Sequence, residues 1–264
     1  MGRAGVRAGA VSAAIVALLL PLASGGAAQP TAQPTAARAA AFAHCPAVPP
    51  PPRVPAGGST VVVGASIAAG YHTSGGERTA WPRLLAARLR HDHVPVAIVN
   101  DSVSAARLLT DSPGHPCTSA LHREGPALAV PGVRTLVLVD LINDIQQTPH
   151  VYDPRKIEAG LSRFVASAHA HHVRVVAGTI APYGGFPAYQ PAGERTRRAV
   201  NAFILRSRLF DGVLDFDAVV RDPSQPDRMR PDYDSGDHLH PDDAGQRAMA
   251  RAVPVGVIWS RAGR

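Results

Sequence analysis

The residues whose types and spacing point most directly to chemistry are Asp237 and His240, in the stretch Asp237-His238-Leu239-His240-Pro241-Asp242-Asp243-Ala244-Gly245. An acid three residues before a histidine places both side chains on one face of a tight turn or of a first helical turn. A serine hydroxyl is a poor nucleophile until a neutral imidazole takes its proton. A carboxylate on the other ring nitrogen fixes the tautomer and stabilises the imidazolium. Asp237 and His240 are therefore half of a nucleophilic site that needs a serine and oxyanion donors from elsewhere in the chain. His238 is adjacent, but alternation in a turn points it away. His169, His171 and His172 fall at the end of an expected helix, where they suit its carbonyl end. No thiolate or carboxylate set at metal-ligand spacing accompanies them, so no metal and no other cofactor is expected.

The elements that must position these residues follow from the hydrophobic pattern. Thr60 to Gly64 is a short β-branched run, the mark of a buried strand, and it empties into Gly64-Ala65-Ser66-Ile67-Ala68-Ala69-Gly70. Val94 to Asn100, Val133 to Val139, Val173 to Ile180 and Val213 to Phe216 read as four more strands. Helices are predicted over Trp81 to Arg90, Ser119 to Val130 (interrupted at Gly125-Pro126), Pro154 to His172, Glu194 to Phe210 and Pro241 to Val253. Strands alternating with helices imply an α/β fold whose parallel sheet is covered on both faces. Such sheets bind ligands beyond the carboxyl ends of their strands. Ser66, the 101–106 loop and Asn143 each follow a strand, so they converge on one rim. The loop from Ala181 to Pro191 carries Tyr183, Phe186 and Tyr189, which can line an acyl or sugar pocket or simply pack.

A chain of 264 residues suffices for one sizeable α/β domain. Its net charge is +7, and Lys156 is the only lysine. The basic residues are scattered rather than gathered into the face that nucleic acid requires, so no nucleic-acid partner is expected. Arg3 and Arg7 precede the apolar Ala8 to Ala23, and Gly26-Ala27-Ala28 supplies small residues for cleavage; residues 1–28 read as a signal peptide. The run is short of the roughly 20 apolar residues of a bilayer span. A secreted monomer with no stable membrane span after cleavage is expected. Residues 29–58 are rich in Pro and Ala and read as a flexible linker, followed by a domain over 59–264. Export permits a disulfide between the only two cysteines, Cys45 and Cys117, stapling the N-terminal arm to the domain. Closing so long a loop stabilises by roughly 4–5 kcal/mol in the chain-entropy model.

From about Val61 to about Val253 the chain resembles the SGNH hydrolases, the GDSL-type lipases and esterases. The closing block carries most of the resemblance: Asp-x-x-His-Pro followed by a small-residue helix, here Asp237 to Pro241 continuing through Ala244-Gly245 to Ala248-Met249-Ala250. Arg198 to Ile204 and Phe210 to Phe216 also resemble the bacterial branch. The resemblance implies a flavodoxin-like three-layer α/β/α sandwich with a five-stranded parallel sheet. It also implies hydrolysis of small-molecule or polysaccharide-linked carboxylic esters through a Ser-His-Asp triad. Ser66 matches the nucleophile of the family's Gly-Asp-Ser turn. Ala65 replaces the aspartate, so the turn loses one side-chain acceptor. The oxyanion hole is implied at the backbone N–H groups of Ser66 and Ala105 and at the Asn143 amide. Ala105 stands in a glycine position, with Ser102 as the alternative if the loop slips; alanine keeps the role unless φ > 0 is needed. Leu141-Ile142-Asn143-Asp144 matches Gly-x-Asn-Asp, with Asp144 bracing the loop and Leu141 narrowing the rim. The changes at Ala65, Ala105 and Leu141 leave a second reading: a non-catalytic relative binding a glycan or lipid at the same rim.

Overall fold

The computed structural model describes residues 1–2 and 45–259. The expected signal peptide and the first part of the expected linker lie outside the described residues, apart from Met1 and Gly2. Five strands form one parallel sheet: β1 (Ser59–Val63), β2 (Ala97–Asn100), β3 (Val133–Leu138), β4 (Arg174–Gly178) and β5 (Gly212–Leu214), in the order β2-β1-β3-β4-β5. Val61 of β1 pairs with Val99 of β2 on one side and Leu136 of β3 on the other. This is the flavodoxin-like order, with the topological switch between β1 and β3.

Alternation along each strand divides the core into two layers. Val61, Val63, Leu136, Leu138, Val175 and Ala177 face one layer; Val62, Val137 and Val176 face the other. The first layer is closed by helices α3 (Ala120–Leu128), α5 (Pro154–Ala170) and α6 (Pro191–Arg206), through Leu121, Phe164 and Val200. The second is closed by α2 (Trp81–His91), α7 (Phe216–Val220) and α8 (Asp243–Ala252), through Trp81, Phe216 and Met249. The short helices α1 (Ser66–Ala69) and α4 (Asn143–Gln146) follow β1 and β3, and α9 (Val255–Ile258) ends the described chain. Among the described residues no helix is long and apolar enough to cross a membrane.

Several boundaries depart from the expected ones for local reasons. α3 runs through Pro126 because Leu121, Pro126 and Ala127 are all buried against the sheet, so tertiary packing overrides the breaker. β5 stops before Phe216 because the Asp215 carboxylate accepts from Ala218 N at 3.1 Å and starts α7. The last helix starts at Asp243, not Pro241, because Asp242 accepts from Ala244 N and Gly245 N at 2.8 and 2.9 Å. At α5 the expected Asp153 cap is present, accepting from Arg155 N at 3.1 Å.

The described part of the expected linker, residues 45–58, is laid against the domain. Cys45 is bonded to Cys117, with Cα atoms 5.4 Å apart. Val48 is buried in the first core layer. Arg123 donates to Pro46 O at 3.1 Å while its Nε donates to the Asp101 carboxylate at 2.9 Å. The expected staple is present, and an apolar anchor and a buried arginine join it.

A second buried charge knot sits nearer the rim. Arg197 of α6 pairs with Glu194 and Asp217 and also donates to Ile180 O at 2.9 Å and Pro226 O at 3.3 Å. It therefore ties the segments after β4 and after α7 to one helix. Removing one partner of such a buried cluster leaves desolvated charge behind. Arg197→Met is expected to lose about 3 kcal/mol of unfolding free energy, measured by denaturant titration. A loss below about 1 kcal/mol would assign the holding of these segments to packing alone.

Candidate active site

β1 runs into Gly64-Ala65-Ser66, and α1 begins at the serine. A Cβ on Gly64 would lie 2.7 Å from Val139 Cγ2 and 3.0 Å from Ser102 Oγ, so the turn can pass between its neighbours only with glycine there. At the other end of the chain, residues 233–242 fold back on themselves, with Ser235 N donating to His240 O at 3.1 Å and Asp242 N to Tyr233 O at 2.7 Å. That loop brings His240 Nε2 within 2.9 Å of Ser66 Oγ. His240 Nδ1 lies 2.5 Å from Asp237 Oδ2. With the Nδ1 proton held by the carboxylate, Nε2 carries the lone pair that accepts from the serine hydroxyl.

The surroundings favour an ionised Asp237 and a neutral His240. Burial pushes the Asp237 carboxyl up. The backbone N–H of His240, the His240 ring and the Leu239 N–H outweigh it and hold the pKa at about 2. Burial pushes His240 below its ordinary value, Asp237 opposes, and the neighbouring His72 pushes it further down. His72 Nε2 lies 3.7 Å from Asp237 Oδ2, with its ring nearly parallel to that of His240. Tyr71 meets His240 edge-on at 4.9 Å. His72, Asp237 and His240 are the trio among the described residues close enough to share a cation. Asp237 Oδ2 is already taken by His240 Nδ1, so a cation there would displace the proton that fixes the tautomer.

The expected oxyanion donors come to the same rim. Ser66 N–H opens α1 and has no intrahelical acceptor. Asn143 is buried at the start of α4; its Nδ2 donates to Ala106 O at 2.8 Å and its Oδ1 accepts from Gln146 Nε2 at 2.7 Å. The second amide hydrogen has no partner among the described residues. Asp144 braces the loop before it, accepting from Leu108 N at 2.5 Å and Leu109 N at 3.2 Å. Ala105 is exposed and has φ +64°, so this position does require the left-handed region. An alanine can occupy it at roughly 1–2 kcal/mol, so the backbone N–H is kept at the expense of strain. Ser102 instead donates its hydroxyl to Asn100 Oδ1 at 2.7 Å.

The family model for GDSL-like lipases and acylhydrolases matches residues 62–248. The chain belongs to this family. The carbohydrate acetylesterase Est24 from Sinorhizobium meliloti superposes with a TM-score of 0.58 at 14% identity, over 74% of this chain and 95% of that one. The acetylxylan esterase Axe2 from Geobacillus stearothermophilus gives 0.55 at 18% identity, over 80% and 99%. A GDSL-like lipase from Bacteroides thetaiotaomicron gives 0.55 at 16% identity, over 84% and 94%. At these identities the likeness is one of fold. A search of curated proteins by sequence finds no match.

Two departures from the GDSL pattern take on a different meaning in three dimensions. Leu141, expected to narrow the rim, is 2% exposed and packs in the first core layer. The backbone turns sharply one residue earlier, at Asp140 with φ +62°, which sends the leucine inward. Ala65 removes the usual acceptor from the nucleophile turn, and Asp140 supplies another. Its Oδ2 accepts from Ala65 N at 2.9 Å and Ala68 N at 2.8 Å. The sequence reading missed Asp140; an acid directly after a buried strand, in an otherwise apolar run, was the available signal. It also missed His72 and Tyr71, which lie in a turn with no pattern of their own.

Burial pushes the Asp140 carboxyl up to about 6, although the two N–H groups hold it down in part. A folded-state value above the ordinary 3.8 means that its contribution to stability is complete below 3.8 and is lost as pH rises through 6. Relative to Asp140→Asn, the wild type is expected to lose about 3 kcal/mol between pH 4 and pH 7, read from denaturation curves across that range. A pH-independent difference would show that the carboxyl ionises freely. Leu141→Gly is expected to destabilise by at least about 3 kcal/mol by opening a core cavity, and to give no gain in esterase rate.

Proposed function

We propose that this chain is an exported serine ester hydrolase that works through Ser66, His240 and Asp237. The observation that carries the reading is the unbroken chain from Ser66 Oγ to His240 Nε2 and from His240 Nδ1 to Asp237, at 2.9 and 2.5 Å. In this reading Ser66 Oγ attacks the ester carbonyl carbon while His240 Nε2 takes the hydroxyl proton. The carbonyl oxygen becomes an oxyanion held by the Ser66 and Ala105 N–H groups and the Asn143 amide. Asp237 stays ionised and stabilises the imidazolium. The intermediate collapses, the C–O bond to the alcohol breaks, and His240 returns its proton to the departing oxygen. Water then attacks the acyl-enzyme by the same route, releasing the carboxylic acid and restoring Ser66.

Asp140 suits this role because it anchors the N–H groups on either side of Ser66 and so fixes the direction of the serine's own N–H. Est24 is a carbohydrate acetylesterase and Axe2 an acetylxylan esterase, which supports short acyl groups as the first substrates to try. Export is supported by the N-terminal sequence and is compatible with the Cys45–Cys117 bond.

Hydrolysis of p-nitrophenyl acetate by the mature protein tests the reading. Ser66→Ala is expected to remove about 10⁶-fold of kcat, as in other triads that act as a unit. Equal rates in the two proteins would remove Ser66 from the mechanism. Turnover in neither would favour a binding protein instead. The acid limb of kcat/KM reports His240, which must be neutral to act as base. With its pKa held below the ordinary 6.5, the limb is expected below pH 6.5. Replacing His72 with Gln removes one downward influence, so the limb is expected to move to higher pH; a limb that stays in place would detach His72 from the triad.

A further inference from the structure

His72 performs no step of the proposed mechanism, yet the fold carries it to the triad. Gly70, in the left-handed region, ends α1, and Tyr71 N–H returns to Ser66 O at 2.9 Å. Two residues beyond His72, Ser74 donates from its N–H and its hydroxyl to the Asp243 carboxylate, at 3.0 and 2.5 Å. The turn is thus tied to the nucleophile helix at one end and to α8 at the other. His72 sits between these ties with φ +61°. Such strain persists only where the surroundings over-determine it, and it concentrates at functional positions. The His72 ring is exposed, and its polar contact among the described residues is Asp237 Oδ2 at 3.7 Å, too long for a hydrogen bond.

His72, Asp237 and His240 offer one ligand atom each, all within 4.8 Å of one another. Atoms bonded to a tetrahedral zinc ion at roughly 2.1 Å stand roughly 3.4 Å apart. The 3.7 Å between His72 Nε2 and Asp237 Oδ2 is already near that spacing. Asp237 Oδ2 and His240 Nδ1 are closer, at 2.5 Å, because a proton lies between them. They need to part by about 1 Å to complete the set. Two imidazoles and one carboxylate suit Zn²⁺, whereas Mg²⁺ and Ca²⁺ take oxygen ligands. Three such ligands with water in the fourth position make a common zinc set. The exposed His72 ring gives the ion its way in from solvent.

We infer that His72, Asp237 and His240 form an inhibitory site for Zn²⁺, with His72 as the ligand that turns a catalytic pair into a chelate. A neutral imidazole has one lone pair and one N–H. Zinc bonded to His240 Nδ1 takes the lone pair there, so the ring proton resides on Nε2. An Nε2–H cannot accept the Ser66 hydroxyl proton, and Asp237 faces the ion instead of the ring. No covalent bond of the carbon skeleton changes, and removing the ion restores the original tautomer. The ion is therefore a reversible off-switch rather than a cofactor. The inhibition rests on the esterase reading; the binding of zinc does not.

The test follows hydrolysis of p-nitrophenyl acetate as zinc chloride is added to the mature protein. Wild-type hydrolysis is expected to fall, to return with EDTA, and to be untouched by the same concentration of magnesium. Asparagine tolerates the left-handed backbone, so His72→Asn is the comparison, with far-UV circular dichroism to check its fold. Its half-inhibiting zinc concentration is expected to be at least about tenfold higher, since even groups behind a ligand are worth that much in metal affinity. Equal half-inhibiting concentrations in the two proteins, or no inhibition of the wild type, would overturn the site. A second titration does without turnover: Ser66→Ala keeps all three ligands, and its His72 and His240 ring signals are followed by NMR as zinc is added. Both rings are expected to shift together up to one equivalent, and a His72 ring that does not shift overturns the site. If the wild type hydrolyses no ester, the esterase reading fails separately and this second titration decides alone.

Discussion

A hydroxyl that follows the first strand and an imidazole near the end of the chain, 174 residues later, must stay 2.9 Å apart. Neither residue can hold that distance by itself. Ser66 sits on a four-residue helix and His240 on a loop, and both depend on what fixes them to the sheet. The parallel sheet answers the first need, because every strand delivers its following segment to the same end. The buried polar contacts answer the second. Asp140 ties the serine turn to the segment after β3, Asp144 ties the Ala105 loop to α4, and Arg197 ties the segments after β4 and α7 to α6. Each contact joins segments that are distant in the chain, so the rim is cross-linked rather than merely crowded.

The carboxylates at this rim differ in what surrounds them, and so in what they can do. Asp237 accepts from two backbone N–H groups, a serine and an imidazole, and its pKa is held at about 2. It is a dependable negative charge for an imidazolium. Asp140 also accepts from two backbone N–H groups but is more deeply buried, and it is pushed up to about 6. It is fit to position a turn, and unfit to act as a permanent counter-ion. Chemically identical groups are thus separated by the number of donors each finds and by the water each loses.

How much of this was legible in the sequence depended on whether the signal was periodic, local or spatial. Val61 to Val63 and the other β-branched runs announced the strands, because burial on both faces leaves no room for polar residues. Asp237 and His240 were legible because both belong to one short turn. Ser66 was legible as a small residue after the first strand. The staple from Cys45 to Cys117 was legible because they are the only two cysteines, whereas the further anchors of the 45–58 arm, Val48 and Arg123, were not, because their partners lie far along the chain. Leu141 was misread because the direction of a side chain hangs on the φ of the residue before it. Asp140 was invisible as a substitute for the missing acceptor at Ala65, since the two are 75 residues apart and meet only across the sheet.

Backbone strain binds these threads together. Seven non-glycine residues among those described have positive φ. His93 and His172 are accounted for by helix ends: the N–H of the following residue returns to Leu89 O and Ala168 O, the usual closure of an α-helix. Cys117 is held by its disulfide and by the Asp111 carboxylate, which accepts from its N–H at 2.9 Å. The other four are His72, Ala105, Asp140 and His238, and each contributes to the rim around Ser66 and His240. At roughly 1–2 kcal/mol apiece, strain of this size would not survive without compensation from the surrounding contacts. The cross-links between loops are that compensation: they hold in place a rim whose backbone, left to itself, would relax away from the geometry that joins Ser66 to His240.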